Sequence, residues 1–244
     1  MKREAITLVL CAALGLAAEA GAADTRFKLS VNGTYSALKQ DYSESRTFTE
    51  FAEAGSYDVS YSDKAGPGLD LGLQYDLTDH LGVALGYTLV SRDGTGSFTG
   101  RIPHPLYLNQ PRQVSGDLGD RKYKEQAGHL DLVYFGRSGS LGFGVFAGVT
   151  VFRVEADLLD TVQYTQTYPY DTATVTGATK TAASATPIGF NVGAGLDYHI
   201  GTNFGLGLQL RFSRGSAELV PSEGNKVSID AGGLQVSAGA RVFF

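Results

Sequence analysis

Eight stretches of this chain place apolar residues on every second position. The first runs Phe27, Leu29, Val31, Gly33, Tyr35, the second Leu69, Leu71, Leu73, Tyr75, and the third Leu81, Val83, Leu85, Tyr87, Leu89. Leu130, Leu132 and Tyr134 follow, then Leu141, Phe143, Val145, Ala147, Val149, Val151. The last three are Ile188 to Tyr198, Phe204 to Phe212, and Leu234 to Phe244. Strict alternation is the pattern of a strand with two unlike faces. The links "DLTDH", "GRSGS" and "HIGTN" are short and carry turn formers. The other four links are long: Leu38–Gly66, Arg92–Tyr123, Glu155–Ala185 and Gly215–Ala231. Long loops are uncommon in compact domains, and strict alternation with short turns puts all four at one end of an up-and-down sheet. The pattern predicts an all-β fold, an eight-stranded antiparallel barrel with three short turns at one end and four long loops at the other.

Parity alone leaves open which face points outward, because a soluble ligand-binding barrel also alternates. The charges decide. Lys28, Asp70, Asp76, Asp131, Asp197, Arg211 and Arg241 all take the parity opposite to the apolar series. The apolar stripe carries no charge until Arg153 and Arg214, both beside long links. A Lys or Arg facing lipid at mid-bilayer costs roughly 2–4 kcal/mol, which falls toward zero at the interface. The polar face is otherwise rich in glycine, which suits the cramped interior of a small barrel. The expectation is lipid outside and polar groups inside. Tyr75, Phe135, Phe204 and Phe244 near the short turns, with Tyr35, Tyr87, Phe152 and Phe212 near the long loops, are the expected aromatic girdles.

Composition adds a targeting signal. Lys2 and Arg3 precede an apolar run, "AITLVLCAALGLAA", and the small residues of "EAGAAD". The run is too short to span a bilayer and reads as a secretory signal peptide over residues 1–23, leaving 24–244 as the barrel domain. Cys11 is the one cysteine and falls inside this signal. Cleavage removes two positive and two negative charges and leaves the net at −5. A mildly acidic chain with no basic tract has no electrostatic case for nucleic acid.

The signal peptide, the hairpins "YDLTDHLGVALGY" and "GLDYHIGTNFGLGLQLRF", and the last strand "GGLQVSAGARVFF" together resemble the small outer-membrane β-barrel family of Gram-negative bacteria, which includes the barrel of outer-membrane protein A. The resemblance covers Asp24 to Phe244. It implies residence in the outer membrane, with lipid and lipopolysaccharide as surroundings. It also implies assembly partners, namely periplasmic chaperones and the barrel-assembly machinery, reading Phe244, Val242 and Ala240 as the signal. No cell-wall-binding domain is expected after Phe244. The final strand is expected to pair beside the strand from Phe27, so that no edge is left exposed.

The candidate site is the lumen charge network of Lys28, Asp70, Asp131, Asp197, Arg211 and Arg241. Unpaired charge in a narrow, partly dry lumen is expensive, so these groups are expected to pair as a structural plug. The alternative is a gate or a narrow path for small solutes. Lys28, Asp131, Asp197 and Arg241 are expected low in the barrel, Asp70 and Arg211 higher. His129 and Asp131 share the inward face, but two ligands are too few for a metal, and His80, His104 and His199 lie elsewhere. Lipid A deacylase-like barrels use a His-x-Ser pair that is absent here. The reading is therefore no enzyme, no cofactor and no metal. Among the loops, Arg121, Lys122 and Lys124 suit lipopolysaccharide phosphates or a solvated rim. Tyr164, Tyr168 and Tyr170 suit either a ligand surface or a mobile loop. The expected function is a structural or surface-interaction protein with an extracellular ligand reached through the loops, the alternative a narrow channel or passive carrier.

Overall fold

The computed structural model describes residues 26–37, 39–220 and 226–244. The signal peptide over residues 1–23 lies outside the described residues. Eleven strand segments follow one another: β1 (Phe27–Ser36), β2 (Gln40–Glu50), β3 (Glu53–Asp63), β4 (Gly66–Asp76), β5 (Leu81–Ile102), β6 (Arg112–Ser138), β7 (Leu141–Gln166), β8 (Ala173–Ala185), β9 (Ile188–Ile200), β10 (Phe204–Leu219) and β11 (Val227–Phe243). Three brief interruptions, after Ser36, after Asp63 and after Ala185, divide what are otherwise eight strands. β8 and β9, for instance, keep one register along β7, with Val154 opposite Ala185 and Val151 opposite Ile188.

The lower part is a closed ring. β1 pairs β4, β4 pairs β5, then β6, β7, β9, β10 and β11 follow in order, all antiparallel. β11 closes the ring on β1, from Lys28 opposite Phe243 to Ser36 opposite Gln235. No edge remains there. The three short turns use the chemistry read in the sequence. The Thr78 hydroxyl accepts from His80 and Leu81 N–H, and Gly139 and Gly201 take positive φ of 60° and 82° where a side chain would strain the backbone.

The outer face of this ring is apolar. Leu85, Leu130, Val149, Phe190, Leu196, Leu206 and Leu208 are each at least half exposed. On β10 the band runs from Phe204 to Phe212, which at strand rise and barrel tilt is roughly 20 Å, most of the apolar band of about 25 Å that membrane barrels of this kind present. Then the two faces exchange character. On β5 the outward series passes from Leu85, Tyr87, Leu89 to Ser91, Asp93, Thr95, Ser97, while the inward series passes from Gly86, Thr88 to Val90, Phe98, Ile102. β10 does the same, outward from Phe212 to Arg214 and inward from Ser213 to Ala217 and Leu219. Strand parity is unchanged; the surroundings change from lipid to water. Above that line the interior is an ordinary apolar core of Tyr61, Phe98, Tyr123, Phe152, Leu158, Leu219 and Ile229, none more than 2% exposed.

Two girdle expectations are corrected here. Phe152 is fully buried, since it has the inward parity of β7, and Phe135 lines the mouth at the short-turn end rather than the lipid face. Where they are described, the long links are paired strands: β2–β3 pairs throughout, with Glu50 opposite Glu53, and β3 continues the sheet onto β5. The third link, expected as a mobile loop, forms the β7–β8 pairing up to Gln166 opposite Ala173.

Candidate functional site: the lumen network

Between the two mouths the polar side chains join into one chain of hydrogen bonds and ion pairs. At its lower end Lys28 Nζ donates to Asp197 Oδ2 at 2.9 Å. Arg241 Nε donates to the other oxygen of Asp197 at 2.8 Å, and its Nη1 donates to Asn32 Oδ1 at 2.5 Å. Asn32 passes the link upward, donating to Asp70 Oδ1 at 2.7 Å. Thr88 donates to Asp70 Oδ2 at 2.9 Å and faces His129 Nε2 at 3.0 Å. His129 Nδ1 meets Thr150 at 2.9 Å. Asn191 donates to both Thr150, at 3.0 Å, and Asp131, at 2.7 Å. Arg211 completes the chain 3.5 Å from Asp131.

These residues come from β1, β4, β5, β6, β7, β9, β10 and β11, so every strand of the ring contributes. That follows from geometry. In an eight-stranded barrel the inward side chains of opposite walls meet, and small residues such as Gly86, Gly148, Gly193 and Gly207 leave room for long ones across the lumen. The hydroxyl protons fix the histidine tautomer. Thr88 spends its one proton on Asp70, so it accepts from His129 Nε2–H; in the neutral imidazole Nδ1 accepts the Thr150 proton.

All six charges singled out in the sequence face this lumen and join it. One placement is corrected: Asp131 sits with Arg211 in the upper group, because Asn191 and Thr150 connect it there, not with Lys28 and Arg241 below. Sequence reasoning does not reach Asn32, Thr88, Thr150 and Asn191. They carry no charge, and their one signal in the sequence is inward parity. A cavity of about 70 Å³, room for a few waters, remains between the lower and upper groups, bordered by Asp70, Asp131, Asp197, Arg211 and Arg241.

A second polar layer lies just above the lipid belt. Arg121 Nη1 meets Asp63 Oδ1 at 3.1 Å, both side chains fully buried. Arg121 also donates to Tyr42 and lies 4.2 Å over the Tyr61 ring. Arg121 is thus inside the barrel, a correction to its reading as a surface phosphate ligand. It has the inward parity of His129 and Asp131 on β6, and the bulge beside Gly119, opposite Gly96–Ser97, shifts the alternation only beyond it, toward the tip. Lys122 and Lys124 remain outside. Nearby, Arg92 Nη2 donates to Ser36 and to Gly232 O, and Glu125 Oε2 accepts from Gly232 N–H at 2.9 Å and from Tyr123. This pair ties β5 and β6 across the lumen to β11. Burial pushes the Asp63 and Glu44 carboxyls up from their ordinary values, only partly offset by the arginines. It also pushes the Tyr57 phenol up to about 12.

The ring of eight strands with a lipid-facing apolar band and a polar lumen agrees with the comparisons. The outer membrane protein beta-barrel domain family matches residues 8–241. The chain belongs to that family. Among solved structures it is similar to the outer membrane protein OprG from Pseudomonas aeruginosa, at 13% identity and a TM-score of 0.55, over 90% of this chain and 96% of that one. Neisserial surface protein A is a second similar structure, at 15% identity and a TM-score of 0.46, over 89% and 97% of the two chains. No curated protein sequence matches this chain. The protein is an integral β-barrel of the outer membrane. Among the described residues, no group of three His, Cys, Asp or Glu side chains is placed to hold a metal.

Proposed function

We propose that this barrel is a sealed, non-catalytic anchor that carries a folded extracellular surface for interaction. The observation that carries the reading is strand length. β5, β6 and β7 are 22, 27 and 26 residues long, where a membrane crossing needs about 9–11. The excess is built as walls around an apolar core, and beneath that core the lumen network occupies the bore. A conducting pore needs a continuous wet path, and side chains at or near zero exposure stand across this one. The lumen charges act in this reading as a plug whose members neutralise one another.

Export with removal of residues 1–23 and recognition of Phe244, Val242 and Ala240 by the assembly machinery belong to the same proposal. So does contact of Lys122 and Lys124 with lipopolysaccharide phosphates. The test is planar-bilayer recording of the refolded chain beside an adhesion assay on cells that display it. The reading expects an electrically silent barrel and adhesion that is lost when the β2–β3, β5–β6 and β7–β8 ends are trimmed. Stable discrete conductance would replace it with the narrow-channel reading.

A further inference from the structure

The outermost turn of the β5–β6 hairpin presents three consecutive large apolar side chains to water. Leu106, Tyr107 and Leu108 are 56%, 54% and 69% exposed, and Tyr168 on the neighbouring β7–β8 turn is 79% exposed. Runs of this kind are avoided on soluble surfaces unless they are used. This one is not a floppy segment. His104, nearly fully buried, accepts the N–H groups of Leu106 and Tyr107 on Nδ1, both at 3.1 Å, and its ring packs 4.9 Å from that of Tyr107. Asn109 N–H donates to Glu53 on the first hairpin. Arg112 donates to Pro103 O, to Gln166 and to Tyr170 O, which ties the two turns together. The tip is held in shape before it meets anything, which lowers the ordering cost of binding.

We infer that this tip is a lipid-inserting anchor for the zwitterionic surface of an apposed membrane, an inference that rests on the surface-interaction reading. Its own bilayer is out of reach. From Leu89, the last lipid-facing residue of β5, to Ile102 the strand climbs about 30 Å along the barrel axis. The three side chains stand out into water, whereas protein hot spots are pockets filled by Trp, Tyr and Arg, with leucine under-represented. Leucine flanking a tyrosine is instead interfacial chemistry, an apolar body with one wet end. The charges nearby are Glu50, Glu53 and Asp171 against Arg101 and the buried Arg112. That balance is slightly acidic, so anionic lipid is repelled and a neutral headgroup is favoured.

The full chain is reconstituted in nanodiscs, so that its own belt is already satisfied, and floated with phosphatidylcholine or phosphatidylglycerol liposomes. The expected result is co-flotation with phosphatidylcholine well above empty nanodiscs. It should weaken with phosphatidylglycerol and fall at least tenfold in a combined Leu106→Ser, Tyr107→Ser, Leu108→Ser variant. Retained heat-modifiable migration on gels shows that the variant is folded. Flotation no better than empty nanodiscs, or an undiminished variant, overturns the inference. If the chain binds intact cells but no liposome, and protease treatment of the cells abolishes binding, the partner is a protein. The tip inference then falls while the surface-interaction reading stands. Failure to bind cells and liposomes alike removes both.

Discussion

Arg241→Ala is the most informative single change to the lumen. Arg241 is 2% exposed, and its guanidinium holds Asp197 through Nε and Asn32 through Nη1. Removing it strands the Asn32 oxygen and halves the neutralisation of Asp197, which keeps Lys28 at 2.9 Å. Removing one partner of a buried pair costs about 3–5 kcal/mol, and an orphaned buried acceptor about 1–3 kcal/mol. Because Asp197 is 14% exposed and retains a lysine, the lower end applies. The expected loss is about 3 kcal/mol. The assay is urea unfolding of the barrel refolded in phosphatidylcholine vesicles, followed by far-UV circular dichroism, since the chain has no tryptophan. Asp197→Asn and the double variant complete a cycle, with an expected coupling of about 1.5–3 kcal/mol for a charged hydrogen bond. A destabilisation below about 0.5 kcal/mol, or effects of the two changes that simply add within that margin, would refute the network as a source of stability.

Three further outcomes are expected. Gly239→Ala should cost about 1–3 kcal/mol as overpacking, since a Cβ there would collide with Val31 O and lie 2.6 Å from Asn32 Cα across the β1–β11 closure; unchanged unfolding in the same assay would deny the close approach. Leu85→Lys, on the lipid face, should cost about 2–4 kcal/mol, whereas Ser97→Lys on the same face of β5 should stay within about 0.5 kcal/mol. Equal costs would misplace the membrane boundary drawn between Leu89 and Ser91. Asp63 and Glu44 have raised carboxyls in the folded state, so the folded chain binds more protons than the unfolded one from the ordinary carboxylate range up to those raised values. Stability contributed by this layer is therefore full in acid and is lost as pH rises through that window. Amide exchange of β2–β3 should be slower near pH 4 than near pH 7 after correction for intrinsic rates, and an inverse trend would contradict the burial argument.

Much of this is legible in residue order because a membrane barrel is governed by a two-residue period. Within the lipid-facing stretch the apolar and the charged series never share a parity, as Leu206 and Arg211 illustrate on β10. The aromatics near the ends are harder. Proximity to a turn or a loop suggests a girdle for Phe135 and Phe152, whereas their parity places both inward. Arg121 obeys the same parity, although a basic run suggests a rim. On β6 it shares the parity of His129 and Asp131, so the alternation carried up from the lipid belt places it inward, and the bulge at Gly119 shifts only the residues beyond it.

By itself the chain determined its class, its span through the membrane and the closing of β11 on β1, because lipid imposes its demand residue by residue along each strand. Which inward groups meet was decided only in three dimensions. Lys28 and Asp197 are far apart in sequence, and neutral Asn32, Thr88 and Asn191 become essential only once the ring closes and opposite walls come within hydrogen-bonding reach. The extracellular core has the same origin. Val90 and Phe98 continue the parity of Thr88 but enter a space that water, not lipid, surrounds, and their burial there depends on neighbours supplied by four separate hairpins.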